Sequence, residues 1–393
     1  METQVTPIKV PLADIHLERE EVEAVTAVLQ SGWLSMGPKI EEFEHRFAEF
    51  LGIKHAFAVA NGTAALHLAC EALGLKEGDE VLCPALTFVA TANAILYTGA
   101  RPIFVDVNGP QDLNLSAADA ARKVTPRTRA IIVVHYAGYP CDMEAITQLA
   151  RKHGLRVIED CAHAPGAIHP SPQGPQKVGT LGDVGCFSFF ANKNLTTGEG
   201  GMVVTADQGL AERIKTRRSH GMTTLTWDRH KGHSFSYDVI TPGYNYRLDE
   251  IRAALGLVQL SRLAAGNPQR RRLTGLYRQK LMDLPQIQLP FQGVSFQNSA
   301  CHLFPILLPA GADRAKFMEY LANRAIQTSI HYPPIPGFSY YRRLWPAGYE
   351  HGLPYTEDTA RREVTLPLFP TLTGEQLDLV VESIKNFFQL ESR

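Results

Sequence analysis

Lys193 is the residue best placed for covalent chemistry, because it stands among phenylalanines and glycines in the segment 187–201. Aromatic neighbours desolvate an amine, which lowers its pKa and makes it nucleophilic. Glycines let the backbone approach a ligand closely or adopt positive φ. A surface lysine beside a flexible loop fits the same segment equally well, so both interpretations stay open here.

Asp160 ends an apolar run and is the second candidate. A carboxylate at the end of a buried strand needs a partner, because an unpaired buried charge is costly. A protonated pyridine nitrogen would serve; the alternatives are a salt bridge to an arginine or a metal ion bound together with His163. No further cluster of ligand residues completes a metal site, so we expect a cofactor and no metal.

The third candidate is the turn Gly62 and Thr63, which follows Asn61 and opens an apolar helix. A helix N-terminus offers unpaired N–H groups and a positive dipole, so such a turn can hold a phosphate while the threonine hydroxyl adds a donor. Asparagine and threonine are also ordinary capping residues, and for this segment alone a structural cap is the simpler interpretation.

The scaffold for these residues is predicted from a repeat of short apolar run, turn and helical stretch between 53 and 205. Unbroken β-branched runs indicate strands covered on both faces, hence an α/β fold with a mostly parallel sheet. We predict strands at 56–60, 81–83, 102–105, 130–134, 156–159 and 202–204. Ligands bind outside the carboxyl ends of such strands. The polar residues expected to converge there are Asn61, Thr63, Thr87, His135 and Asp160.

Two domains are expected, because the composition changes after residue 265. Residues 1–265 form the larger one with an N-terminal segment, and residues 266–393 a smaller α+β domain. In the latter we predict strands at 303–308 and 328–332 around a helix at 313–324, and a final helix at 373–388 capped by Thr373. The segment 223–244 has little periodicity and is long for a passive loop.

The overall composition excludes several classes of protein. With 39 Lys and Arg against 40 Asp and Glu, the net charge of -1 gives no general attraction for nucleic acid or an anionic membrane. The start of the chain lacks signal-peptide character, and no apolar run is long enough for a membrane span, so a cytoplasmic enzyme is expected. Six single cysteines without zinc-type spacing indicate buried reduced thiols.

Five motifs, taken in order, resemble those of the DegT/StrS-type sugar aminotransferases, which belong to the fold-type I pyridoxal 5′-phosphate (PLP) enzymes. They lie at 61–63, 87–91, 159–164, 187–201 and 243–247. The resemblance covers nearly the whole chain and implies an aspartate-aminotransferase-like large domain, a smaller C-terminal domain and PLP as cofactor.

The resemblance also implies a role for each matching residue. Lys193 would hold the cofactor as a Schiff base and move protons, and Asp160 would pair with the pyridinium nitrogen. Phe88 would lie against the cofactor ring, and His163, where many relatives have glutamine, near its phenolic oxygen. The phosphate-binding residues would be Gly62, Thr63, Ala64, Ser188 and, from the neighbouring subunit of a homodimer, Asn245.

The implied reaction moves an amino group, from glutamate by analogy, to a nucleotide-linked keto sugar such as a 3- or 4-keto-deoxyhexose. Its product would serve surface polysaccharide, including lipopolysaccharide, or a glycosylated metabolite. A cyclitol ketone as acceptor and a non-catalytic regulator on the same fold are the alternatives. A dinucleotide-binding oxidoreductase is disfavoured, since no G-x-G-x-x-G follows a predicted strand.

Candidate contacts to the substrate are basic or polar. Charge-assisted hydrogen bonds to a diphosphate would suit Lys231, His230, His233 and Arg247, although Lys231 fits a solvated loop equally well. His331 and Tyr332 would either contact the sugar or pack at the domain junction, and we favour packing.

Overall fold

The structure is a computed structural model that describes residues 8–171, 174–224, 236–345 and 352–391. Its strands in chain order are β1 (His55–Val59), β2 (Glu80–Pro84), β3 (Arg101–Val105), β4 (Val107–Gly109), β5 (Asp112–Leu115), β6 (Thr128–Val134), β7 (Arg156–Asp160), β8 (Ile168–His169), β9 (Gln176–Lys177), β10 (Val184–Ser188), β11 (Gly201–Thr205), β12 (Phe304–Leu307) and β13 (Glu363–Leu366).

The helices of the described ranges lie on both sides of the main sheet and in the C-terminal part. They are α1 (Arg19–Ser31), α2 (Pro38–Leu51), α3 (Gly62–Ala72), α4 (Ala90–Tyr97), α5 (Ala117–Lys123), α6 (Met143–His153), α7 (Gln208–Arg217), α8 (Glu250–Leu281), α9 (Arg314–Ala322), α10 (Ser339–Leu344), α11 (Pro354–Arg362) and α12 (Gly374–Glu391). None of these helices combines the length and the apolar character that a membrane span requires.

The main sheet has seven strands in the order β1-β11-β10-β7-β6-β2-β3. Its pairs are parallel except the two formed by β11, which is antiparallel to β1 and β10. The predicted α/β class and mostly parallel sheet are confirmed, and all six predicted strands are present with ends shifted by a few residues. β10 escaped prediction as a strand because Gly185 interrupts its apolar pattern.

The C-terminal part builds its own core around the antiparallel pair β12 and β13. The predicted strand at 303–308 and both predicted helices are confirmed, and Thr373 caps α12 by accepting from the N–H of Gln376. The predicted strand at 328–332 is wrong. Only Ser329 pairs there, in an isolated bridge with Thr365, since the chain then turns so that His331 and Tyr332 reach the main cavity.

Helix α8 runs across the predicted domain boundary at 265/266. Leu260, in its first half, packs in a core cluster of the large domain. Leu273 and Tyr277, in its second half, pack in the C-terminal core. We therefore keep the division at 265/266 as a proposal in which α8 is shared by both domains.

Candidate active site

A cavity of about 450 Å³ opens at the carboxyl ends of the parallel strands β1, β6, β7 and β10. The predicted site residues that line it are Gly62, Thr63, Phe88, Asp160, His163, Ser188, Lys193, His331 and Tyr332. Asn61 and Thr87 line it as well, so four of the five polar residues expected at this edge converge. His331 and Tyr332 do more than pack at a domain junction, since both face the cavity.

Lys193 follows β10 in a tight turn, where its backbone N–H donates to Phe190 O at 2.9 Å. The next residue anchors the turn, because the Asn194 side-chain amide donates to Ala300 O at 2.8 Å. Burial lowers the pKa of Lys193 to about 8, although the nearby charge of Asp160 opposes the shift. Lys193 is thus a desolvated amine at the wall of a cavity, which is one of the two interpretations that the sequence left open, and not a surface lysine.

Asp160, the last residue of β7, is buried. Its Oδ2 accepts from the Thr91 hydroxyl at 2.9 Å and its Oδ1 from the Ala162 N–H at 3.1 Å. Burial raises the pKa of Asp160, while these hydrogen bonds and the charge of Lys193 oppose the rise. Within the described residues no cation lies at ion-pair distance from Asp160. The carboxylate therefore has room for a cationic partner, as a pyridinium nitrogen would be.

Glu159, the neighbour of Asp160, points to the opposite face of the strand and belongs to a separate network. It accepts from His135 Nε2 at 3.0 Å and from the N–H groups of Gly179, Leu181 and Gly182. The expectation that His135 faces the cavity is wrong, because its two ring nitrogens bond to Glu159 and to the Cys141 N–H.

His135, Glu159 and Cys161 bring potential ligand atoms within 4.8 Å of one another. The oxygens of Glu159 are already occupied by N–H donors. Burial raises the pKa of the Cys161 thiol well above its ordinary value, which disfavours the thiolate a metal needs. We read this group as a hydrogen-bonded support that fixes the end of β7.

The N-terminus of α3 provides the place for an anion. Asn61 caps the helix by accepting from the Ala64 N–H at 2.8 Å, so the predicted Ala64 donor is engaged in this structure. The first two helical N–H groups, of Gly62 and Thr63, point outward without a helical partner. A Cβ at Gly62 would lie 2.8 Å from Ser188 Cβ, so glycine is what lets the serine approach this helix end.

His163 and Tyr332 form part of the cavity wall. Nδ1 of His163 lies 3.3 Å from the Ala137 N–H, which donates to it, so the ring proton sits on Nε2, 3.0 Å from the Tyr332 hydroxyl. Burial lowers the pKa of His163 well below its ordinary value, and the charge of Lys193 acts in the same direction. Phe88 stands beside Tyr332 with ring centroids 6.0 Å apart.

Two of the predicted residues, Asn245 and Arg247, are not among the residues that line this cavity. Asn245 is exposed and pairs in an isolated bridge with Ser219, and Arg247 donates to the Ser219 hydroxyl at 2.9 Å. The predicted substrate contact Lys231 lies outside the described residues, together with His230 and His233. Their roles stay predictions.

Thr91 is a functional residue to which sequence reasoning gave no role. It orients Asp160, and its own hydroxyl lies 3.3 Å from that of Thr87. The available signal was its position at the end of the motif 87–91.

The buried amine, the carboxylate without a cation and the anion cradle fit one cofactor that carries an aldehyde, a basic ring nitrogen and a phosphate. PLP has these three groups. Lys193 would take the aldehyde, Asp160 the ring nitrogen and the start of α3 the phosphate.

Comparison with known proteins agrees with this site. Residues 16–385 match the model of the DegT/DnrJ/EryC1/StrS aminotransferase family. The spore coat polysaccharide biosynthesis protein SpsC of Bacillus subtilis is 39% identical over 97% of this chain and 96% of its own length. Helicobacter pylori PseC, an aminotransferase involved in the biosynthesis of pseudoaminic acid, has a TM-score of 0.87 at 31% identity, with 97% and 99% of the two chains covered.

A third relative bears on the cofactor. The PLP form of Streptococcus pneumoniae Spr1654 has a TM-score of 0.87 at 27% identity and covers 96% of this chain and 98% of its own. Together with the cavity, these matches show that the chain belongs to the DegT/DnrJ/EryC1/StrS aminotransferase family and is a PLP-dependent sugar aminotransferase.

Proposed function

We propose that this enzyme transfers an amino group from glutamate to a nucleotide-linked keto sugar, a 3- or 4-keto-deoxyhexose, to supply an amino sugar for a surface polysaccharide. The observation that carries the proposal is the single cavity in which the desolvated amine of Lys193 and the carboxylate of Asp160 meet. The sugar is supported by SpsC, a polysaccharide biosynthesis protein, and by PseC.

PLP, when bound, supplies an aldehyde that condenses with amines and a ring that accepts electrons when a bond at the amino carbon breaks. Lys193 has a pKa of about 8, so near neutral pH its Nζ can both take up a proton and return it. Asp160, held by Thr91 and the Ala162 N–H, would place a negative charge at the ring nitrogen and favour its protonated form.

The other residues of the cavity wall have two tasks. Some orient the substrate, and others exclude water. Tyr332, with His163 hydrogen-bonded to its oxygen, fixes one wall, and Phe88 closes another with an apolar face. His331 lines the same cavity, and its ring centroid lies 4.8 Å from that of Tyr332. A sugar, with hydroxyls on several faces, suits a wall that mixes aromatic surface and hydrogen-bonding groups.

The proposal includes a homodimer. Phe190 lines the cavity and is 45% exposed. Exposed aromatic groups at the rim of a site are typical of a surface that a partner covers. Asn245, exposed and outside the cavity of its own chain, is then free to reach the phosphate in the neighbouring subunit.

The test is an amino-transfer assay on the purified PLP enzyme. Glutamate is added first, and nucleotide-linked 3-keto and 4-keto hexoses and a cyclitol ketone are then offered separately. We expect glutamate to bleach the visible band and one nucleotide keto sugar to restore it with formation of its amino product. Restoration by the cyclitol ketone alone, or by no acceptor, would refute the proposed substrate. Lys193→Ala is the control and should show no cycle.

A further inference from the structure

Glu363 is a fully buried carboxyl group that the reaction described above does not use. It is the first residue of β13, in the C-terminal core. One oxygen accepts from the backbone N–H of His331 at 2.8 Å, and the other lies 2.5 Å from the Thr365 hydroxyl. These two partners connect the buried carboxyl group of Glu363 to His331, which lines the cofactor cavity.

Thr365 links Glu363 to the ring of His331. Its hydroxyl oxygen lies 2.9 Å from Nδ1 of that ring. The peptide of His331 is fixed on its other side as well, because the Tyr136 hydroxyl donates to the His331 carbonyl. With Nδ1 occupied and the residue lining the cavity, Nε2 is the atom that His331 can offer to a ligand.

A threonine hydroxyl has one proton, so the chain Glu363–Thr365–His331 has two polarities. While Glu363 is ionised, Thr365 donates to it, Nδ1 of His331 donates to Thr365, and Nε2 carries a lone pair. When Glu363 is protonated it donates to Thr365, which donates to Nδ1, and Nε2 carries the proton. The ring changes from acceptor to donor without changing its position.

We propose that Glu363, acting through Thr365, sets the tautomer of His331 and thereby decides whether this ring donates to or accepts from a ligand in the cofactor cavity. Glu363 is in this account a positioning residue. That the ligand is the keto sugar rests on the function proposed above, whereas the control of the tautomer does not.

Both polarities are available near neutral pH. Burial raises the pKa of Glu363 to about 8, while the hydrogen bonds from Thr365 and the His331 N–H and the charge of Arg314 oppose the rise. Burial lowers the pKa of His331 to about 4, helped by the charge of Lys193, so the ring itself stays neutral. At neutral pH the donor form is therefore expected, which suits a carbonyl or hydroxyl oxygen of the acceptor.

The other ionisable groups near Glu363, Thr365 and His331 differ from Glu363 in how they titrate. Tyr136 and Tyr332 face it, and burial raises the pKa values of both, so they stay protonated. Arg314 donates to the Glu363 carbonyl at 3.3 Å. Lys193 is the one neighbour with a pKa near that of Glu363, and in the holoenzyme its amine is engaged with the cofactor.

The experiment is nitrogen-15 NMR on holoenzyme labelled at histidine, with the His331 signals identified by their loss in His331→Gln. Wild-type protein should change from the Nε2–H to the Nδ1–H tautomer between about pH 6.5 and about pH 9.5. Its midpoint should lie at about 8. Glu363→Gln should hold the Nε2–H tautomer throughout, because the glutamine amide always donates to Thr365.

Two substitutions at Thr365 form a matched pair, because serine keeps the hydroxyl and valine keeps the size of the side chain. Thr365→Ser keeps the hydroxyl, so its His331 tautomer should titrate as in wild type. Thr365→Val removes the hydroxyl that connects Glu363 to His331 and should abolish the change of tautomer. A His331 tautomer that is constant in wild type, or one that changes alike in wild type and in Glu363→Gln, would overturn the proposal. These spectra need no keto sugar, so a failure of the proposed substrate and a failure of this inference are distinguishable.

Discussion

Lys193 and Asp160 sit in the same cavity, and burial disfavours the charged form of each. The pKa of Lys193 falls to about 8, and that of Asp160 rises. Both shifts weaken the cofactor-free protein, because the folded chain must hold groups that prefer water. Binding of PLP would relieve both costs if, as proposed, Lys193 joins the aldehyde and Asp160 pairs with the ring nitrogen.

The first prediction concerns the pH dependence of cofactor capture. Only the neutral amine of Lys193 attacks an aldehyde, so the rate of capture should rise about tenfold per pH unit below the pKa and level off above it. With the pKa at about 8, the plateau should begin there. Stopped-flow absorbance of cofactor-free protein mixed with PLP measures it. A rate that still rises at about pH 10, as for an ordinary lysine, would contradict the lowered pKa.

The second prediction separates activity from stability at Asp160. Folding raises the pKa of Asp160, so the folded protein loses stability as the pH rises above the pKa that this carboxyl group has in the unfolded chain. The destabilisation is therefore present at neutral pH. Asp160→Asn should therefore raise the Tm of the cofactor-free protein by about 1 to 2 °C. It should lower kcat/KM by about 10²- to 10³-fold, because the ring nitrogen loses its counter-charge.

Thr91 gives the graded control for that variant. Thr91→Val removes one hydrogen bond to Asp160 and leaves the charge, so we expect a loss of about tenfold in kcat/KM. Thr91→Ser should remain close to wild type. Equal losses for Thr91→Val and Asp160→Asn would show that orientation, and not charge, is what Asp160 provides.

At the scale of elements, strands bring the site together and one helix end supplies the anion cradle. The strands were predictable because β-branched runs without alternation mark a covered parallel sheet. β10 was not predictable, because Gly185 interrupts its apolar pattern. The conformation of residues 328–332 was not predictable either, because it depends on contacts with β13, which is remote in sequence. His135 was misplaced because strand alternation, not strand-end position, decides which face a side chain takes.

The third prediction tests the start of α3. Gly62→Ala places a Cβ 2.8 Å from Ser188 Cβ and 3.1 Å from its Oγ, so the serine must move away from the cradle. Equilibrium titration should show PLP affinity reduced by about 10- to 100-fold, the loss of one or two hydrogen bonds to a charged group. Gly266→Ala, in α8, is the control.

An added Cβ at Gly266 meets no atom within 4 Å. That variant should keep wild-type PLP affinity and gain about 0.5 to 1 kcal/mol in free energy of unfolding, because alanine favours the helix. Unchanged affinity in Gly62→Ala would mean that the phosphate lies elsewhere.

At the scale of the whole molecule, the order of the five motifs along the chain predicted the family, the cavity and the cofactor. It did not predict which residues a partner subunit contributes to the site. Asn245 lies in a motif, yet neither its spacing nor its position in one chain says which subunit it serves. The buried group of Glu363 was also beyond sequence reasoning, since a glutamate beginning a strand looks like a surface residue until its surroundings are known.

The fourth prediction tests the shared site by subunit mixing. Lys193→Ala and Asn245→Ala should each be impaired in pure form. In a mixed dimer, one cavity combines the intact lysine of one protomer with the intact asparagine of its partner. Random re-association of equal amounts should therefore restore about a quarter of wild-type activity. Mixtures no more active than the average of the two parents would place both residues in the same chain's site.

The account depends most on a covalent bond between Lys193 and the cofactor. The direct measurement is borohydride reduction of the PLP-loaded enzyme, followed by proteolysis and mass spectrometry. We predict that the reduced cofactor is carried by the peptide that contains Lys193, and that Lys193→Ala carries none. Reduced cofactor on a different lysine, or an unmodified Lys193 peptide in fully loaded protein, would contradict the account.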